Sequence, residues 1–349
     1  MSIPGKVTIS NIAAAAGVSK ATVSRYLNGH KEMMGEETGE RIRQAIEEAN
    51  YRPSDIARNL KRRTSNLIGV VISDISSPFS SAVVIGVSEY LERQGFSPLF
   101  TNSADDPSLE AKNIASLLAK GVSGLIVNTA SYDNQTLLDV GAGGMPVVLC
   151  DRYVRNSPFD IVTSRDNQGM HDLVLHLKNE GYTRPVFFTQ KWERNSVRYI
   201  RRESFIHAVE ELFGYSPEED VYLVSAREHR SAYAALTELR ERLRPGDIPA
   251  VIGVNSVTTI RAYKAIRQLG LVMPHNIGLC GPEDWDWDNE MNWPTLVNPN
   301  ITTLVLQSTE IGRNSAKLLL SRIKDPKKEQ EKILMPCEIC VRQSTLRLD

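Results

Sequence analysis

Lys20 and Arg25, in the stretch VTISNIAAAAGVSKATVSRYLNGH, are the first side chains whose types and spacing suggest chemistry. In the segment KATVSRYLNG, Val23 and Leu27 lie four apart and share one face of a helix. Lys20, Ala21, Ser24 and Arg25 then fall on the other face. An α-helix fits the major groove of B-DNA, where Lys or Arg at its exposed N-terminal part reaches guanine O6 and N7. Thr22, Ser24 and the amides at Ser19–Ala21 suit phosphate oxygens, which set register without reading sequence. The chemistry is noncovalent.

The rest of the chain offers little for making or breaking bonds. It holds no P-loop string and no GxSxG elbow, and no HExxH occurs among its six histidines. GAGG at 141–144 follows a helix and precedes a strand, the reverse of a dinucleotide fingerprint, and reads as a turn. Asp105 and Asp106 in SADDPS read as a helix cap. The cysteines are Cys150, Cys280, Cys337 and Cys340. The last two have CxxC spacing in PCEIC, but no second pair completes a zinc site, and the flanks read as a strand. No metal, no cofactor and no enzyme activity are expected. SAREHRS does place Arg227, His229 and Arg230 close to a strand end, and guanidinium is the group of choice for carboxylate or phosphate.

The groove-reading donors need a scaffold. Thr8 is placed to cap a helix from Ile9, with Ile9, Ile12, Ala13 and Ala16 at helical spacing. Gly17 stands where that helix ends, because glycine enters the left-handed conformation cheaply. Ser19 caps the second helix. A third, EETGERIRQAIEEAN, carries Ile42, Ala45, Ile46 and Ala49 as its inner stripe. Helix–glycine–helix alone fits a groove-reading head and a solvated helical hairpin equally well. Residues 1–63 hold 11 Lys and Arg against 7 Asp and Glu, whereas residues 64–349 hold 30 against 35. A basic head on an acidic body points to an anionic partner for the head.

In the linker, Pro53 and Ser54 start a helix, but the single turn DIARNL is too short to hold alone in water. A protease-sensitive basic linker is one reading. Taken together, VTISNIAAAAGVSKATVSRYLNG and YRPSDIARNLKRRTSNLIGVVISDISSPF resemble the start of lactose-repressor-type (LacI family) transcriptional regulators. The motif AGVSxxTVSRxLNG is highly specific. This resemblance implies DNA contacts from Thr8, Ser19, Lys20, Ala21, Thr22, Ser24, Arg25 and Asn28, with Lys20, Ala21 and Arg25 at base-reading positions. It also implies a hinge helix that folds when two subunits meet over the minor groove. There Leu60 wedges between base pairs beside Ala57, while Arg58, Lys61, Arg62 and Arg63 neutralise phosphates. Ser54 stands where many relatives have Asn, and that position is not carried over.

From Leu67 short apolar runs alternate with helical stretches. LIGVVI, SPLFT, GLIVN and PVVLC read as buried strands, with helices near 79–94, 108–119 and 134–140. PVFFT, VYLV, AVIGV and IGLCG form a second series, with helices near 167–180, 201–213, 231–243 and 257–269. This pattern predicts two doubly wound halves with parallel sheets and a cleft at their strand ends. The expected fold is an all-α helix-turn-helix head (residues 1–52), a hinge (53–65) and an α/β body (66–349) of two parallel-sheet subdomains.

The body resembles the periplasmic-binding-protein-like effector domain of the same family over essentially its whole length. On matching local motifs, that implies a small ligand held by Asp74, Phe79, Arg152, Arg201, Asn255 and Glu283. Arg227 and Trp285, the latter in EDWDWDN, join them by position. Ser256 replaces the usual Asp after Asn255, Glu283 stands where most relatives have Asp, and Leu306 where Gln is common. Arginines suit an acidic ligand, and Trp285 and Trp287 offer faces for a sugar ring. The DWxW string resembles family members that respond to sugar acids such as gluconate or 2-keto-3-deoxygluconate. The expected effector is a small sugar or sugar acid; a neutral sugar or a protein co-effector stays open.

At 349 residues the chain has room for two to three domains. No apolar run nears the roughly 18 residues of a membrane span. MSIPGKV lacks the apolar core of a signal peptide, so a cytoplasmic protein without membrane contact is expected. VRQSTLRLD carries no leucine heptads, so a homodimer on a palindromic operator in double-stranded DNA is the expected assembly. The implied function is sequence-specific transcription regulation, most simply repression, under control of the effector. A cytoplasmic solute-binding module is the lesser alternative.

Overall fold

The computed structural model describes residues 7–27, 34–49, 65–225, 227–228, 230–282 and 292–347. Two units divide the chain, Met1–Ser65 and Asn66–Asp349. In the first, α1 (Ile9–Ala15), α2 (Lys20–Leu27) and α3 (Glu36–Glu48) pack around Ile12, Ala13, Ala16, Val23, Ile42 and Ala45. Local side-chain bonds set where α1 and α2 begin. The Thr8 backbone N–H and hydroxyl both donate to Asn11 Oδ1, at 2.9 and 2.5 Å. Gly17 turns the chain at φ 63°, and Ser19 Oγ accepts the Thr22 N–H at 3.1 Å.

The second unit is two lobes, each built on a six-stranded sheet. Its elements begin β1 (Leu67–Ile72), α4 (Pro78–Arg93), β2 (Ser97–Asn102), α5 (Pro107–Ala119), β3 (Leu125–Val127), α6 (Gln135–Ala142), β4 (Val147–Cys150) and β5 (Asp160–Ser164). They continue with α7 (Asp166–Asn179), β6 (Arg184–Thr189), α8 (Ser196–Phe213), β7 (Val221–Leu223), α9 (Ser231–Arg242), β8 (Pro249–Gly253) and α10 (Ser256–Gln268). Last come β9 (Gly278–Pro282), β10 (Thr302–Leu306), α11 (Ser308–Lys324), β11 (Lys332–Met335) and β12 (Cys337–Cys340). The first sheet runs β11-β5-β4-β3-β1-β2 with every pair parallel. The second runs β12-β10-β9-β8-β6-β7, with β12 antiparallel to β10.

The sequence reading left out β10, α11 and β11, and three further local features depart from it. First, DIVTS is a fully buried strand, β5, despite its leading carboxylate. Arg322, from α11, donates Nε and Nη2 to the two Asp160 oxygens at 2.8 and 2.7 Å, which satisfies the buried charge from a distant part of the chain. Second, α8 starts at Ser196 rather than at 201, because Asn195 Oδ1 accepts the Arg198 N–H at 3.0 Å. Third, only Asp106 caps α5, accepting the Ser108 and Leu109 N–H groups at 2.8 and 3.3 Å. Asp105 turns away from that helix. CEIC forms β12, and burial pushes the Cys337 thiol up to about 11, which disfavours the thiolate that a metal or redox role needs.

The chain crosses between the lobes three times, each time through one residue. Arg165 separates β5 from α7, Gln307 separates β10 from α11, and Pro336 separates β11 from β12. Arg165 donates its N–H to Met335 O at 2.9 Å, tying two of the crossings together. Within the first lobe α4 and α11 meet at Gly86 and Gly312. A Cβ built on Gly86 would sit 2.0 Å from Thr309 O, and one on Gly312 would sit 2.2 Å from Val83 O. Only a bare backbone fits there.

Candidate functional site

In the first unit, α2 buries Val23 against the head core and leaves Lys20, Ala21 and Arg25 exposed. Ser19 and Thr22 lie at the same end, their hydroxyls 2.9 Å apart, and Ser24 is half-buried. Thr8 is exposed where α1 begins. Two cations and a small apolar side chain thus stand on the outward face of a capped helix, the arrangement that a groove-reading helix requires. Asn28, Ala57, Arg58 and Leu60 lie outside the described residues.

The second unit holds a cleft between its lobes with a volume of about 910 Å³, within the range of small-molecule sites. Residues just past strand ends supply much of its lining: Asp74 after β1, Asp105 after β2, Asn128 after β3, Arg152 after β4, Gln190 after β6 and Asn255 after β8. This is where parallel α/β sheets place ligands.

Of the expected effector residues, Asp74, Phe79, Arg152, Arg201, Arg227 and Asn255 line the cleft. Glu283 and Trp285 lie outside the described residues. Ser256 and Leu306 are buried and are not among the described lining residues. Several lining groups also have structural work. Asp74 Oδ1 accepts the Ser76 N–H and hydroxyl at 3.0 and 2.6 Å. Asn255 caps α10 through the Thr258 N–H at 3.0 Å, and its amide nitrogen reaches Gln190 Oε1 at 3.4 Å. Arg201 is buried, its Nε donating to Asp166 Oδ1 at 2.7 Å and its Nη1 to Val254 O at 2.8 Å. Arg227 is exposed at the rim.

Asp105, Asn128, Asp151, Gln190, Lys191 and Arg198 are among the lining residues that sequence reading did not propose. The strand-end rule would have found Gln190 and Lys191 directly after PVFFT. Arg198 precedes Arg201 by about one turn on α8. Asp105 follows SPLFT and meets the strand-end rule, but in the sequence it reads with Asp106 as a helix cap, a role that Asp106 alone takes. Ala104, Asp105 and Asp151 are three of the four non-glycine residues with positive φ among the described residues, at 51°, 57° and 69°. Backbone held in that region costs about 1–3 kcal/mol per residue and clusters at functional sites.

The floor behind Arg152 is braced by a buried carboxylate. Glu110 accepts from Thr129 Oγ1 at 3.0 Å, Ala130 N–H at 2.6 Å and Asn134 Nδ2 at 2.5 Å. Burial pushes its carboxyl above the ordinary value, against the opposing pull of these bonds and of Arg152. The bonds hold the loop whose Thr129 carbonyl accepts Arg152 Nη1 at 3.0 Å.

No helix among the described residues is long and apolar enough to cross a membrane. Comparison with known proteins covers both units. Residues 8–54 match the family described as bacterial regulatory proteins, lacI family, and residues 174–345 match a periplasmic binding protein-like domain. The HTH-type transcriptional regulator KdgR of Bacillus subtilis is 30% identical over 342 residues, 97% of this chain and 98% of that protein. PtxS of Pseudomonas aeruginosa, also an HTH-type transcriptional regulator, is 31% identical over 344 residues, 98% of this chain and 96% of that one. Among solved structures, the lac repressor dimer bound to operator and the anti-inducer ONPF superposes with a TM-score of 0.81 at 23% identity, covering 98% of this chain and 99% of that one. At that identity the likeness speaks for the fold. An exposed cationic helix face in a lacI-type head and a matched full-length relative lead to one assignment: the chain belongs to the lacI family of bacterial regulatory proteins and is a DNA-binding transcription regulator.

Proposed function

We propose that the protein is a dimeric repressor whose operator affinity falls when a sugar acid enters the cleft. The observation that carries this reading is the cleft itself: Arg152 from one lobe and Arg198 and Arg201 from the other converge on a space spanned by three one-residue crossings. A ligand that bridges the two walls favours one lobe arrangement over another, and shifts DNA affinity by that difference. Because β1 follows the linker directly in sequence, a change in the first lobe reaches the linkers of both subunits. We read the protein as cytoplasmic, where its operator is.

Twofold symmetry then asks for an inverted-repeat operator, with half-sites about 34–36 Å apart or a multiple of that. The test is fluorescence anisotropy of the full chain on selected inverted repeats and on random duplexes, with and without D-gluconate and D-glucose. Salt-sensitive preference for a repeat, weakened by the acid, is the expected result. Indifference to sequence at every salt concentration overturns it. In the same assay Arg25→Ala should cost about 1–3 kcal/mol and relax base choice at one position in each half-site. Equal loss on every sequence would assign Arg25 to phosphate instead.

A further inference from the structure

We propose that Asp105 is a built-in occupant of an anion subsite, and that a ligand carboxylate takes its place between Arg152 and Arg198. This rests on the reading of the cleft as an effector site and names the group that distinguishes an acid from a neutral sugar. Asp105 Oδ1 accepts Arg152 Nη1 at 2.6 Å, and Oδ2 accepts Arg198 Nη2 at 3.3 Å. Arg152 belongs to the first lobe and Arg198 to the second, so one carboxylate gives one oxygen to each lobe.

The two guanidiniums have supports independent of Asp105. Arg152 Nη1 also donates to Thr129 O at 3.0 Å, and Arg198 Nη1 donates to Lys191 O at 3.2 Å. They therefore stay aimed at the same point when the carboxylate leaves. Asp105 is the more displaceable partner. Its side chain keeps 35% of its exposure against 12% and 20% for the arginines, and it stands on the left-handed pair Ala104–Asp105. Burial would raise its carboxyl, but Arg152 first and Arg198 next outweigh burial and hold it below the ordinary carboxylate value. The occupant is thus an anion at neutral pH, and its replacement is an anion.

The described lining carries five cationic side chains against four carboxylates. Swinging Asp105 out leaves positive charge that an acidic ligand neutralises and a neutral sugar does not. A neutral sugar leaves the Asp105 clasp between the lobes closed. An acid opens it and becomes the bridge, so the exchange carries both selectivity and the signal.

Isothermal titration of the full chain, Asp105→Asn and Arg198→Gln with D-gluconate, 2-keto-D-gluconate, D-glucose and glucose 6-phosphate tests this. Asn tolerates a left-handed φ, so the loop is retained, and matching thermal melts check the fold. Asp105→Asn should bind one of the acids about tenfold tighter, since a charge-assisted competitor is gone. Its affinity for glucose should stay within about twofold. Arg198→Gln should lose at least about tenfold for the acid. Equal or weaker acid binding by Asp105→Asn overturns the proposal, as does preference for glucose 6-phosphate over both acids. If an acid binds the unaltered chain but Asp105→Asn gains nothing, the subsite alone falls; if neither acid binds any of the three proteins but glucose does, the subsite and the sugar-acid reading fall together and a neutral-sugar effector is left. If none of the four binds, the neutral-sugar effector falls as well.

Discussion

Arg201→Met should lower the unfolding free energy of the second unit by about 3–5 kcal/mol, the usual effect of removing one partner from a buried ion pair. The Arg201 and Asp166 side chains are each only 3% exposed and meet at 2.7 Å. Asp166 is the first residue after the Arg165 crossing, and Val254, whose carbonyl accepts the other bond of Arg201, directly follows β8. The guanidinium therefore joins a crossing point to the floor of the cleft. Taking it away leaves a carboxylate buried with poor solvation, which costs more than the pair itself contributes. The double variant Arg201→Met with Asp166→Asn should recover at least half of the loss, because an amide carries no charge. Urea unfolding followed by tryptophan fluorescence measures this, since all four tryptophans, from Trp192 onward, belong to the second unit. Equal losses in the single and double variants would show that packing, not charge, is what Arg201 supplies. Operator binding by the head should survive the single variant while the effector response disappears.

Gly86→Ala and Gly312→Ala carry the second large effect, and its sign is the informative part. In an ordinary helix interior, alanine stabilises over glycine by roughly 0.5–1 kcal/mol. Here the new Cβ would meet a backbone carbonyl oxygen of the facing helix at 2.0 or 2.2 Å. Backbone atoms of a packed helix have no rotamer to turn aside, so α4 and α11 must separate. Either variant should lose roughly 3 kcal/mol, the upper end of overpacking. Stabilisation in the same urea experiment would mean that the two helices have room to part.

Much of the fold was legible because its determinants are local. Thr8, Gly17 and Ser19 act within a few residues of themselves, and the apolar stripe of α3 follows its own period. LIGVVI, GLIVN and AVIGV are β-branched runs that parallel sheets bury on both faces, and they became β1, β3 and β8 with small shifts at their ends. The strand-end rule then located the cleft, and six of the eight expected effector residues line it. DIVTS and KILM were not legible. The first owes its burial to Arg322, 162 positions away, and the second joins its sheet only after a whole lobe has intervened.

The order of the residues determined where the helices cap, which runs bury themselves, and which side chains of α2 face outward. Those outcomes depend on interactions within one or two turns, or on a simple alternation of polar and apolar positions. The tertiary structure alone decided how charges are matched. That Asp105 reaches Arg198 follows from the meeting of two lobes, that it faces Arg152 from two strand ends of one sheet, and that Arg201 is held by Asp166 from the packing of α7 against α8. Coulombic pairing depends on distance in space and on exclusion of water, and chain spacing encodes neither.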